Sequence, residues 1–332
     1  MEVVSGTWDA PDFFQEEFNG HHRIEAGVGL PDQIRQEGFR NASAVLRKNN
    51  PEEILPLFAG YAPREVTGEE YEGYAWYEGT NGFELLVTPE GGNVTASGDR
   101  YDYIRMAYHA DERTEDYNRD IYSETEELED FSRADCRELV KRLCRGLGVG
   151  EEYEAVCRKM DYRVMEEEAV QYNIDGTDQK PDYRWSEEDS GYFCSISQLC
   201  NGVPLIQSNI ASLVSSDILC YSGVECYVTK NQIDYAHADA VFELSYESGY
   251  AEPLPFTRIV ELYREKTELM PQISFSRITG IELRALAVQG PGGRYSVEPV
   301  WFFAGYMWAE GEEAFEEYPF SVGIHAVTGE EL

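Results

Sequence analysis

The sequence predicts an α+β fold in two domains, each an antiparallel sheet with helices packed on one face. Three observations carry this. Between 64 and 108, short segments rich in Tyr, Val, Phe and Trp alternate with turn residues, the pattern of an antiparallel meander. The chain ends in the order helix, strand, strand, strand, for which a helix laid on one sheet face is the economical packing. Its 332 residues suffice for two domains of roughly 100–200 residues each, and a chain this long needs neither disulfide nor metal to fold.

Residues 21–31 open the first domain. Ile24, Ala26, Val28 and Leu30 alternate, so the segment is a strand with one buried face. Asn50-Pro51-Glu52-Glu53 is a helix start: Asn caps, the missing N–H of Pro is not needed in the first turn, and the carboxylates favour the positive end of the dipole. Pro56 keeps that helix short. The turns of the meander are Glu78-Gly79-Thr80-Asn81-Gly82, Glu90-Gly91-Gly92-Asn93 and Ser97-Gly98-Asp99. Residues 110–130 are acidic and poor in apolar side chains, and read as a solvated connection. Ser132 and Asp135 match a capping box, and Cys136, Leu139, Val140, Leu143, Cys144 and Leu147 form one apolar stripe, so 132–147 is a helix. Gly146-Leu147-Gly148-Val149-Gly150 ends it. A dinucleotide-binding glycine loop follows a strand and opens a helix; this one follows a helix, so it is a C-cap.

Residues 173–190 are polar and loop-like and mark the boundary between a first domain, 1–180, and a second, 181–332. Asn173, Asp175 and Asp178 in this stretch lack the spacing of an EF-hand loop. The second domain reads as strands at 191–199, 224–229 and 241–246, then a helix from Pro255 to Met270. Phe256, Ile259, Val260, Tyr263 and Met270 share one helix face. Three long strands follow, at 278–288, 295–308 and 320–327, the first two joined by Gln289-Gly290-Pro291-Gly292-Gly293. In the last, Phe320, Val322, Ile324 and Ala326 point inward and His325 outward.

Charge narrows the function. Asp and Glu number 63 against 27 Lys and Arg, a formal charge of −36. Such a surface repels a nucleic-acid backbone and an anionic membrane alike. The densest basic stretch, Arg133, Arg137, Lys141, Arg142 and Arg145, is the solvated face of a helix. No run of about 18 apolar residues is present to span a bilayer. The first residues, Met1-Glu2-Val3-Val4-Ser5, lack a basic segment followed by an apolar one. This leaves a cytoplasmic protein, or one whose export signal has been removed.

The seven cysteines contain no Cys-x-x-Cys pair, so neither a zinc ribbon nor a thioredoxin-like site is supported. Cys194 and Cys200 lie six residues apart in one strand, ~20 Å, too far to bond each other. Cys220 and Cys226 flank a tight turn and would face each other across a hairpin, as a disulfide or as two small buried hydrophobes. An odd count leaves one thiol without an intrachain partner. Gly-x-Ser-x-Gly, phosphate-loop and His-Glu-x-x-His motifs are absent. His21 and His22 point to opposite faces of a strand and cannot share a metal; they and His109, His237 and His325 read as surface residues. No cofactor, metal or catalytic residue is expected. Trp76, Trp301 and Trp308 fall in strands beside many of the 23 tyrosines, where core packing competes with an aromatic platform for sugars or peptide side chains.

The terminal run, Val297-Glu298-Pro299-Val300-Trp301-Phe302-Phe303-Ala304-Gly305 to Ile324-His325-Ala326-Val327-Thr328-Gly329-Glu330, resembles the end of PepSY-like domains, with His325 where that family often has Asp or Asn. The pieces His22 to Pro31, Pro51 to Phe58, Cys200-Asn201-Gly202-Val203-Pro204 and the C-terminal unit resemble lipoproteins of unknown function from gut-dwelling Gram-positive bacteria. The resemblance implies export, an N-terminal lipid anchor on a removed signal, and a pair of α+β domains; it supplies no catalytic residues. The expectation is thus a non-catalytic binding or regulatory module of the cell envelope, with a peptide, protein or glycan partner and no nucleic acid. Tyr295, Trp301 and Trp308 are the candidate binding residues. Strand addition would occur at an edge near Pro299, because Tyr295–Trp308 is apolar on both alternating faces. The alternative is a carboxylate-dependent hydrolase, which needs a pocket with two close carboxylates.

Overall fold

The computed structural model of the chain describes residues 7–68, 73–91, 93–108, 121–169, 179–207, 223–230, 232–268, 275–308 and 318–331. The fold is α+β. In chain order the elements are β1 Phe13–Phe18, β2 His22–Gly29, α1 Asp32–Glu37, β3 Arg40–Leu46, α2 Pro51–Ile54, β4 Arg64–Val66, β5 Ala75–Glu78, β6 Glu84–Val87, β7 Val94–Ser97, α3 Tyr101–Tyr108, α4 Arg133–Leu147, β8 Tyr153–Met160 and α5 Tyr162–Glu168. They continue as β9 Gly191–Cys200, β10 Val203–Gln207, β11 Gly223–Thr229, β12 Ile233–Ala238, β13 Phe242–Tyr250, α6 Phe256–Thr267, β14 Phe275–Gln289, β15 Arg294–Trp308 and β16 Tyr318–His325.

The chain gathers into two compact units, each made of separated segments. Unit 1 takes Met1–Val45, Leu199–Tyr221 and Glu243–Leu332; unit 2 takes Leu46–Gln198 and Ser222–Phe242. These are not the contiguous parts 1–180 and 181–332. The stretch expected to be a linker carries the buried Trp185 and Asp189 and belongs to unit 2 on both sides. Polar, turn-rich composition marks a loop without revealing whether the loop is packed.

Unit 2 holds an antiparallel sheet in the order β8-β9-β11-β12-β7-β6-β5-β4. Helix α4 lies on one face, as its stripe demands. Cys136, Val140, Leu143, Cys144 and Leu147 are buried against Leu85, Ala96, Ile196, Val224 and Val228. Each large apolar side chain so buried contributes about 1.5–3 kcal/mol. Ser132 Oγ accepts from Asp135 N at 3.1 Å, the expected cap. Gly148 ends the helix at φ 72°, and a Cβ there would fall on the Arg47 guanidinium. Asn50 Oδ1 likewise accepts from Glu52 N at 3.1 Å at the start of α2.

The other face of this sheet is also covered, contrary to the one-face expectation. Ile104, Ala107 and Tyr108 of α3 and Met165 of α5 pack with Phe193, Tyr227 and Tyr235. The reason is visible in β9, where consecutive residues 191–194 are all buried, as in strands enclosed on both sides. Residues 101–108, read as the end of the meander, form α3 because Ile104, Ala107 and Tyr108 recur at three and four.

Unit 1 contains a mixed sheet. β15 pairs antiparallel with β14 along its length, while β14 runs parallel to β2 and β10. The antiparallel expectation therefore fails here. Sequence-adjacent strands can form hairpins, but β2 and β10 reach β14 from distant parts of the chain and can align either way. Helix α6 covers one face: Tyr263 stacks on Phe303 at 4.5 Å and Phe256 meets Trp301 edge-on at 5.2 Å. On the opposite face Val300 and Phe302 are buried with Ile206 and Leu286.

Candidate functional site

The expected aromatic platform is largely core. Tyr295 is 4% exposed and Trp301 2%, and Trp301 is held under α6. The side chain of Trp308 lies outside the described residues. Pro299 does not mark a sheet edge. β15 pairs with β3 through Arg294–Val297 and with β16 from Val300 onward. Pro299 sits at the changeover between these neighbours, where its missing N–H leaves no ladder bond unmade.

The open edge of unit 1 is β13. It runs beside β3, and among the described strands none lies on its other side. From Glu243 to Tyr250 every residue is exposed except the half-buried Leu244. Tyr246 and Tyr250 are exposed aromatics. Arg40 anchors the strand from its covered side: Nε donates to Glu247 O at 3.0 Å, and the guanidinium lies 5.3 Å from the Tyr246 ring centroid. Tyr246 Oη accepts from Asn201 N at 3.3 Å. Glu243, Glu247 and the following Glu252 make this exposed edge acidic.

Unit 2 buries two carboxylates, Asp189 and Asp234, both 4% exposed. Asp189 Oδ1 accepts from Tyr183 at 2.9 Å and faces Arg100 at 3.1 Å, while its Oδ2 accepts from Ser186 N and Oγ at 2.7 and 2.8 Å. Asp234 accepts from Tyr61, from Gln232 at 2.8 Å and from Thr229 at 2.7 Å. Burial, then Asp234, pushes the Tyr61 phenol well above its ordinary pKa. Burial opposes the Arg100 cation, but Asp234 and Asp189 hold its pKa above the usual value. Donors engage both oxygens of each carboxylate, which is how a fold tolerates buried charge. A hydrolytic pair instead needs lone pairs turned toward substrate.

Unit 2 also brings together thiols that the sequence scatters. Cys157, Cys194 and Cys226 stand opposite one another across β8, β9 and β11, so they form a row on one sheet face. That face carries α4, whose Cys136 Sγ lies 3.5 Å from Cys194 Sγ. The sulfurs of Cys136, Cys157 and Cys194 are all within 4.8 Å of one another, and these residues are 0–5% exposed. Hydrogen bonds from the Cys136 and Cys194 thiols pull the Cys157 pKa down to about 4 against the effect of burial, and Arg133 adds to the pull. Burial pushes Cys194 up, and the hydrogen bond to Cys157 pushes Cys136 up. Cys220, the expected partner of Cys226, lies outside the described residues, as do His109, Asn173, Asp175 and Asp178.

Two histidines expected at the surface are buried. His22 Nδ1 is 2.9 Å from Ser276 Oγ. His325 Nδ1 accepts from Val327 N and Thr328 N at 3.1 Å, and its Nε2 is 3.1 Å from Glu298. It fastens the terminal turn instead of pointing outward. His237 bridges Thr95 and Asp239, each at 3.0 Å. Burial lowers the His237 pKa, but the Asp239 carboxylate and Glu225 outweigh it and raise the value above 6.5. The stabilisation from this pair is therefore fully present below pH 6.5 and is lost as pH rises through the higher folded value. In an NMR titration, Asp239→Asn should move the His237 midpoint down; an unmoved midpoint would mean Asp239 does not set it.

A cleft of about 610 Å³ is lined by Arg47, Lys141, Arg145, Gly148, Gly150, Glu151 and Tyr153. Two of its cations have structural partners: Arg47 pairs with Glu53 at 2.8 Å, and Arg145, in the last turn of α4, complements the negative end of the helix dipole. No described helix is long and apolar enough to cross a membrane.

The chain is similar over 97% of its length to an uncharacterized protein from Eubacterium rectale of known crystal structure, with 93% of that chain covered, 13% sequence identity and a TM-score of 0.64. At that identity the likeness shows the fold alone. No family model matches the chain, and no curated protein does.

Proposed function

We propose that the chain is a non-catalytic binding module of the cell envelope, carried on an N-terminal lipid anchor, with a PepSY-like end. In this reading unit 1 takes up a basic, extended peptide segment along β13. The observation that carries it is the exposed position of β13 at the end of the described strand order, because an edge strand is a template for strand addition. Glu243, Glu247 and a chain charge of −36 favour a cationic occupant. Envelope location is supported by the resemblance of 22–31 and 51–58 to gut Gram-positive lipoproteins, and the Eubacterium rectale neighbour comes from such a bacterium. The full engagement of Asp189 and Asp234 speaks against the hydrolase alternative.

The thiols support a second reading of compartment. Cys136 and Cys194 approach to 3.5 Å without a bridge, a state that a reducing cytoplasm preserves. Cell fractionation separates the two readings.

Binding is tested by titrating the full chain with a short peptide of alternating Lys and Val, against one of alternating Glu and Val. The Lys peptide should bind saturably and more weakly at high salt, and Glu247→Lys should reduce its affinity. Equal binding of both peptides, or of neither, would remove the proposal.

A further inference from the structure

We infer that Cys136, Cys157 and Cys194, with Cys226 beside them, form a closed thiolate site for a soft d10 cation, of the Zn(II) or Cu(I) class. Thiolates are the ligands that select these ions. In a tetrahedral site with metal–sulfur bonds of about 2.3 Å, neighbouring sulfurs are ~3.8 Å apart. The 3.5 Å approach of Cys136 and Cys194, and the 4.8 Å limit that contains all three sulfurs, bracket that spacing. Cys226, directly opposite Cys194 on the next strand, stands beside this three-sulfur set.

A second observation points to the same place. Arg133 is 8% exposed, and no described ion pair includes it. Its guanidinium donates to the backbone carbonyls of Cys157, Glu126 and Ser123 and lies 5.0 Å from the Tyr192 ring centroid. Its Nε has no acceptor among the described residues. A buried cation served only by carbonyls and a ring lacks a counter-charge. Three thiolates around a divalent ion leave one net negative charge beside it, and the two cancel. A monovalent ion reaches the same balance with two thiolates. Each thiol that ligates releases its proton to solvent, so binding is proton-coupled.

The sulfurs are enclosed, so loading should accompany folding. The test refolds the full chain from denaturant under reductant with Zn(II), Cu(I), or Co(II) as a coloured stand-in for Zn(II). Unbound metal is then removed and metal per chain is counted. The expected result is one metal per chain, with a sulfur-to-metal charge-transfer band. Zn(II) retention without Cu(I) retention, or the reverse, identifies the ion. Cys157→Ser and Cys194→Ser should abolish the band, Cys144→Ser should keep it, and Arg133→Met should weaken affinity about 10–100-fold, as for an outer partner of a metal ligand. Circular dichroism identifies any variant that fails to fold, and the wild-type chain then decides alone. Metal-free wild-type protein whose thiols are all titratable after denaturation would overturn the inference. So would a disulfide between any two of Cys136, Cys157 and Cys194 under reductant, or a band that survives both serine variants.

Discussion

Replacing Asp234 with Ala should lower the unfolding free energy by about 3–5 kcal/mol, the usual penalty for breaking a buried charged network by removing one partner. The change strips the acceptor from Tyr61, Gln232 and Thr229 together and removes a carboxylate whose field holds the Arg100 cation. Each hydrogen bond to a charged group is worth roughly 1.5–3 kcal/mol, and they are coupled, so the loss will be smaller than their sum. Urea denaturation reads this directly. A loss below about 1 kcal/mol would mean that water replaces the lost acceptor at little cost, and the network would no longer count as structural. Asp234→Asn should be milder, since the amide oxygen keeps one acceptor.

Trp301→Ala should destabilise the chain by about 3–5 kcal/mol, the range for truncating a buried large aromatic. Trp301 is 2% exposed and packs edge-on against Phe256 of α6, so its removal opens a cavity beneath the helix. Thermal melting should show a large drop. A near-unchanged melting temperature would mean the site repacks around the loss, and Trp301 would return as a surface candidate.

Local features of the fold were legible in the sequence, and distant ones were not. Ser132, Asn50 and Gly148 do their capping within a few residues, so sequence patterns found α2 and α4 at their observed starts. The stripe from Cys136 to Leu147 announced the buried face of α4 in the same way. Unit boundaries depend instead on the pairing of Ser276 with His22 and Leu205 with Ala285, contacts between distant segments that leave no local mark. The alternation predicts Tyr295–Trp308 to be apolar on both faces; in the structure Val300–Phe303 are buried on both, while Ser296 is exposed and Glu298 half-buried. That alternation could not tell a central strand covered twice from an edge awaiting a partner.

The thiol cluster escaped for a related reason. Metal motifs are recognised by short spacing within one turn or loop, whereas Cys136 and Cys194 are 58 residues apart and the set draws on one helix and three strands. One usable signal was present. Cys136 falls on the apolar stripe of α4, and Cys194 and Cys226 lie in neighbouring apolar strands. A helix laid on such a sheet buries all three together.

Hydrogen exchange of the β13 amides, with and without the alternating Lys–Val peptide, tests the central claim most directly. Free chain should exchange quickly at amides of β13 that face away from β3, because β13 ends the order of the described strands. Peptide should protect alternate amides between Glu243 and Tyr250 and leave the amides of β14 and β15, already bonded on both sides, unchanged. Protection that appears elsewhere while β13 still exchanges freely would contradict binding at this edge.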